Sequence, residues 1–130
     1  MSIDVRERDG VVILTPHGML FGGKETDELE DRIRDLSGVG NRKLLINLGD
    51  TTFMSSPPLN ELVRGHVHYA KRGARMKLCE LDGKLLSLLA ITHLIKIFDV
   101  YDTEEEALKS FVEPGEVGAA VKGAPVPSVR

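Results

Sequence analysis

Asn47-Leu48-Gly49-Asp50-Thr51-Thr52-Phe53-Met54-Ser55-Ser56-Pro57-Pro58-Leu59 is the most informative stretch of this 130-residue chain. Just before and into it, Leu44, Leu45, Ile46 and Leu48 form an apolar run short enough for a strand inside a sheet. At its far end, Leu59, Leu62, Val63, His66, Val67 and Ala70 recur at helical spacing and stop at Gly73. Residues 49–56 therefore read as a polar loop that leads from an interior strand into a helix.

Further out, the same reasoning supplies the neighbours. Two strand-like runs, 3–8 and 11–15, flank Asp9-Gly10, a two-residue hairpin signal because glycine supplies the positive φ such a turn needs. Leu29, Ile33 and Leu36 mark one face of a helix over 24–36, which Gly38 and Gly40 end. Residues 74–79 alternate as a strand, 85–91 read as a short buried helix, 95–101 as a strand and 104–111 as a last helix. The order β-β-α-β-α-β-α-β-α predicts an α/β domain with a mostly parallel sheet of four to five strands. Arg75 and Lys77 alternate with Ala74, Met76 and Leu78, so helices are expected mainly on one face, with the other partly wet.

Composition narrows the function. Hydrophobic residues are 42% and charged residues 28%, an ordinary globular mix for one domain. A net charge of −3 does not suit a phosphate backbone, so no nucleic acid is expected as partner. The apolar runs are too short for a membrane span, and the acidic and basic start does not resemble a signal peptide, so a cytoplasmic location is expected. A single cysteine, Cys79, excludes an intrachain disulfide or a multi-cysteine metal site. The domain is expected over 1–112. Residues 113–130, with Pro114, Gly115, Gly118, Gly123, Pro125 and Pro127, are expected to be a flexible tail.

In this order of elements the quoted stretch resembles the STAS domain, the sulfate-transporter and anti-sigma-factor-antagonist family. The family's Gly-Glu-Leu-Asp after the second strand corresponds to Gly18-Met19-Leu20-Phe21, and the acid or Asn ending its third strand to Asn47. Its Phe-Met/Ile-Asp-Ser-Ser-Gly-Leu corresponds to Phe53-Met54-Ser55-Ser56-Pro57-Pro58-Leu59. Residues 72–78, 94–98 and 105–108 match its later strands and last helix. The resemblance implies a regulatory binding domain with no catalytic residue and no cofactor. Its partner would be an anti-sigma factor that is also a serine kinase, and the phosphoacceptor would fall on Ser56, with Ser55 as the fallback. The docking surface it implies comprises Phe21, Asp50, Thr51, Thr52, Met54, Ser55, Ser56, Asn60 and Arg64.

Three departures bear on that reading. Ser55 stands in place of the family's Asp, Phe21 replaces an acid, and Pro57-Pro58 remove two backbone N–H donors where a phosphate or a cap oxygen would find them. Because Pro58 disfavours helical geometry at Pro57, the helix is expected to begin at Pro58 and leave Ser56 outside its cap. Two other readings stay open: a scaffold or homodimer subunit without a phosphoswitch, and a small-molecule or nucleotide sensor at the strand-end loops around Phe21 and Met54.

The remaining candidates point to structure rather than chemistry. Phe21 is expected in the core, with an exposed anchor as the alternative. His66 and His68 are two residues apart on a helix, so they face different ways and share no metal. His66 falls on the apolar stripe, and His93 stands where a left-handed residue is expected. Cys79 reads as a structural cysteine. Arg64, Lys71, Arg72, Arg75 and Lys77 run without an acid between them, as a solvated face or as a dock for an acidic partner.

Overall fold

The computed structural model describes residues 3–112. The expected hairpin forms from β1 (Ile3–Arg8) and β2 (Val11–Pro16), paired antiparallel from Ile3 against Pro16 to Arg8 against Val11. Asp9 and Gly10 both take positive φ, 54° and 81°, the geometry that a two-residue hairpin turn demands. There follow β3 (Gly18–Leu20), α1 (Lys24–Gly38), β4 (Lys43–Asn47), β5 (Thr51–Met54), α2 (Ser56–Lys71), β6 (Arg75–Cys79), α3 (Gly83–Ile91), β7 (Asp99–Tyr101) and α4 (Glu104–Ser110).

The main sheet has five strands in the order β1-β2-β4-β6-β7, parallel apart from the hairpin. Its strands alternate their side chains between two cores. On one face Leu14, Leu44, Ile46, Met76 and Leu78 meet Leu29 and Ile33 of α1, Leu59, Leu62 and Tyr69 of α2, and Leu85 and Leu89 of α3. On the other, Val11, Ile13, Leu45 and Cys79 meet Ala107, Leu108 and Phe111 at the end of α4. Three helices share one face, as expected.

The second face is drier than its sequence suggested. Lys77, expected in solvent, is 6% exposed. Its ammonium donates to the Ser110 carbonyl at 3.0 Å and its hydroxyl at 2.9 Å, and lies 4.6 Å from the Phe111 ring centre. The four-carbon stem lies along apolar surface while its charge finds oxygen and a ring face. A charged residue at an inward strand position thus marks where α4 lands.

Two further expectations are corrected. Residues 95–101 are a strand only over Asp99–Tyr101, because Leu94–Lys96 form a tight 3₁₀ turn. His93, left-handed at φ 65° as expected, starts that turn, and the amides of Ile97 and Phe98 bond back to the Leu94 carbonyl. The polar loop 49–56 also contains β5, which pairs in parallel with β3 as a separate two-stranded ribbon. Residues 113–130, expected as a tail, lie outside the described residues.

Candidate functional site

The entrance of α2 is built from the ribbon and the first helical turn. Ser55 is the extended residue before the helix, at φ −88° and ψ −178°, and Ser56, Pro57 and Pro58 are its first three helical residues. This corrects the expected start at Pro58. The first N–H groups of a helix have no partner within it, so prolines there cost no helical hydrogen bond. Burial of Pro58, Leu59 and Leu62 outweighs the bias against helical geometry before a proline. The first helical bond runs from the Leu59 amide to the Ser55 carbonyl, 3.3 Å.

Ser55 holds the capping position without capping. Its hydroxyl oxygen is buried and has no hydrogen-bond partner among the described residues. A cap oxygen normally accepts from the second or third helical amide, and here those residues are Pro57 and Pro58. Ser56 is exposed, and its own amide is the one free N–H that the sequence leaves in the first three helical positions. Asn60 and Arg64, four and eight residues on, continue its face and are exposed. The Arg64 guanidinium pairs with Glu61.

The ribbon supplies the other wall. In its register Leu20 pairs with Met54 and both point inward, whereas Met19 pairs with Phe53 and both point out. Phe21 is 48% exposed, which corrects the expected core position, and its ring centre lies 5.3 Å from that of Phe53. The Ser55 amide donates to the Leu20 carbonyl at 2.9 Å, which ties the ribbon to the helix entrance. On the same seam, a β-carbon on Gly22 would stand 3.4 Å from the Pro57 ring.

Of the expected docking residues, Phe21, Asp50, Thr52, Ser56, Asn60 and Arg64 are exposed, with Asp50 at the far end of the ribbon beside His17. Thr51 and Met54 are not available to a partner. Thr51 is 3% exposed and donates to the Pro16 carbonyl at 3.1 Å, and Met54 belongs to the main core. Met19 and Phe53 were missed. Period-two alternation through 18–21 would have turned Met19 outward. The register shift between Gly18 and Met19 breaks the alternation in 51–54, where Thr51 is buried and Phe53 exposed, so no local pattern marks Phe53.

The other candidates resolve into structure. His66 is half-buried with its ring edge against Phe98, 5.6 Å between centres, while His68 bonds the Ser37 hydroxyl at 2.8 Å. Cys79 is fully buried, and burial above all pushes its thiol up to about 12, far from a reactive thiolate. The basic run is dispersed: Arg72 stacks on Tyr69 and bonds the Asn41 carbonyl, and Lys77 lies under α4. A crevice between α2 and α3, lined by Leu48, Met54, Leu59, Leu62 and Leu85 among others, measures about 10 Å³, the room of one water. No helix among the described residues is long and apolar enough to cross a membrane.

The family profile of the STAS domain matches residues 2–107. The chain belongs to the STAS domain family. A solved STAS-fold protein from Thermotoga maritima, assigned as an anti-sigma factor antagonist, is 24% identical to this domain. The match covers 84% of this chain and 93% of that one, with a TM-score of 0.78. An anti-sigma factor antagonist from Mycobacterium paratuberculosis is 23% identical over 85% of this chain and 92% of its own, with a TM-score of 0.73. The Bacillus cell fate determinant SpoIIAA, in its phosphorylated form, is 16% identical over 82% and 96%, at 0.66. These likenesses establish that the STAS domain described here has the fold of anti-sigma factor antagonists.

Proposed function

We propose that this STAS domain is a regulatory protein-binding module of the anti-sigma-factor-antagonist type, acting in the cytoplasm and carrying out no catalysis itself. Its partner would be an anti-sigma factor with serine-kinase activity, and Ser56 would be the hydroxyl that the partner phosphorylates. The observation that carries the reading is the exposed Ser56 on a fixed helix entrance, with the Phe21–Phe53 pair on the adjoining ribbon.

The physics of the switch follows from what surrounds Ser56. Residues 18–23 and 51–60 contain no charged side chain. A phosphate adds nearly two negative charges to that face. With Pro57 and Pro58 in the first turn, the helix offers it little of the N–H cradle that helix starts give to anions. The charge stays uncompensated and opposes a partner that docks flush on the aromatic pair.

Incubation with an anti-sigma-type serine kinase and ATP is expected to place phosphate on Ser56 by mass spectrometry, and none on Ser56→Ala. Ser56→Asp is expected to weaken binding of that kinase about tenfold, roughly 1.4 kcal/mol, without lowering the melting temperature. No label, together with unchanged binding of Ser56→Asp, would sink the switch. That outcome would favour the second reading, a scaffold or homodimer subunit, which the uncapped Ser55 hydroxyl and the two prolines support. For docking itself, Phe21→Ala is expected to cost about 1–2 kcal/mol of affinity with little loss of stability, because the ring is half-exposed. Titration calorimetry of the variant against the kinase checks it.

A further inference from the structure

His17 separates β2 from β3, and its ring is held between two carboxylates from distant parts of the chain. Its Nε2 lies 2.9 Å from the Asp4 carboxylate on β1, and its Nδ1 is hydrogen-bonded to the carboxylate of Asp50, in the turn between β4 and β5. A neutral imidazole has one N–H and one lone pair, so it can donate to only one of them. The other nitrogen would then face a carboxylate, lone pair against lone pair. Between two ionised carboxylates only the imidazolium donates to both, so the arrangement favours the charged ring.

What the ring joins is the seam between the main sheet and the ribbon. The Gly18 amide donates to the Asp50 carbonyl at 2.8 Å, Gly18 pairs with Thr51, and the Thr51 hydroxyl reaches back to the Pro16 carbonyl. Asp50 is therefore held at its carbonyl by the first rung of the ribbon and at its side chain by His17. That ribbon carries Met19 and Phe53, leads directly into Phe21, and bonds the start of α2.

We propose that His17 is a proton-operated latch that fixes the β3–β5 ribbon, and with it the aromatic wall of the α2 entrance, to the β1–β2 hairpin. The charged groups that act on the ring are Asp4 from β1 and Asp50 from the turn, and the neighbouring strands, Val11–Pro16 and Gly18–Leu20, contribute none. The hydrogen bond to Asp50, then that to Asp4, raises the proton affinity of His17 above the ordinary 6.5. A raised value means that the latch is complete below pH 6.5 and is lost as pH rises through the folded-state value. Its consequence for docking rests on the function proposed above. The latch itself does not, and it is tested on the isolated chain.

Histidine-ring NMR across a pH series, with His17→Gln to assign the ring, is expected to give His17 a midpoint above 6.5. Asp4→Asn and Asp50→Asn should each lower it, since each removes one charge-assisted bond and keeps the side-chain shape. The Gly18 and Thr51 amide signals should move with the His17 midpoint in the native chain and cease to do so in Asp50→Asn. A native midpoint at or below 6.5, or ribbon amides that ignore the titration, overturns the proposal. Neither result depends on whether Ser56 accepts a phosphate, so a failed kinase experiment and a failed latch are told apart.

Discussion

Glu104→Gln is expected to destabilise the domain by about 3 kcal/mol at neutral pH, an effect that fades in acid. The Glu104 side chain is 7% exposed at the start of α4 and is held from three directions. The Arg6 guanidinium donates to both its oxygens, at 2.7 and 3.3 Å, Arg8 pairs with the second oxygen, and the Asn47 amide donates to the first at 2.8 Å. Its own backbone N–H is taken by Glu80, at 2.8 Å. The Arg6 bonds, followed by those from Asn47 and Arg8, outweigh burial and bring its carboxyl down from 4.5 to about 2. A depressed carboxylate stabilises the fold above its unfolded value, and that stabilisation is lost as pH falls from 4.5 towards 2.

The stability difference between wild type and Glu104→Gln, read by urea unfolding along a pH series, should therefore be largest at neutral pH and shrink steadily below 4.5. Glu105→Gln is the control. Its carboxylate is 67% exposed and 3.8 Å from Arg8, and the change should be worth less than about 0.5 kcal/mol. A Glu104→Gln gap that persists unchanged at pH 2 would mean that shape, not charge, holds α4 against the sheet.

Where an element announces itself by one clean periodicity, sequence and structure agree. The hairpin at Asp9-Gly10, the apolar core of β4 and the span of α2 depend on local chemistry and stand where they were expected, although Val67 and Ala70 of the expected α2 stripe are exposed and Gly65 and Tyr69 are buried in their place. The misread places are those where two periods compete. Phe98 lies three residues after Ile95 and four after Leu94, which suits a turn of helix as well as a strand, and the left-handed His93 commits the chain to the turn. Residues 51–54 looked like loop because they are flanked by glycine and serine, yet they gain a strand partner in 18–20, more than thirty positions away. Pairing of that kind is not visible to local patterning.

The candidate site was legible to a similar extent. Ser55 and Ser56 were placed at the helix entrance from the motif alone, because helix starts have a local signature. The two-residue error in where the helix begins came from treating a pre-proline bias as a prohibition. It matters chemically, since it turns Ser55 from a helix-external residue into a capping residue with nothing to cap. Phe21 and Phe53 were not seen as a pair because their adjacency belongs to the ribbon, not to the sequence. Lys77 was misplaced for the same kind of reason: α4 reaches it from 33 residues away.

Gly65→Val is expected to destabilise the domain by about 3 kcal/mol or more, through overpacking rather than lost contacts. Gly65 lies on the buried face of α2, where α1 and β6 come closest to it. A β-carbon there would stand 3.0 Å from the Met76 sulfur and 3.2 and 3.3 Å from two Ile33 side-chain carbons. Alanine alone would require those neighbours to give by a few tenths of an ångström, which the flexible Met76 can do. Valine adds two methyls into the same space, and Ile33 is stiff at its first side-chain torsion. The strain must then be relieved by moving α1 away from α2. Differential unfolding in urea should show the loss, and Ile33→Ala in the Gly65→Val background should recover part of it although Ile33→Ala alone is destabilising. That sign reversal is the signature of a steric conflict at this helix contact. Additive losses would count against the clash, and helix propensity could not take its place, because glycine is the poorer helix former of the two. Because α2 begins at Ser56, any shift that relieves the clash also moves the entrance, so the glycine fixes where Ser56 stands relative to Phe21 and Phe53.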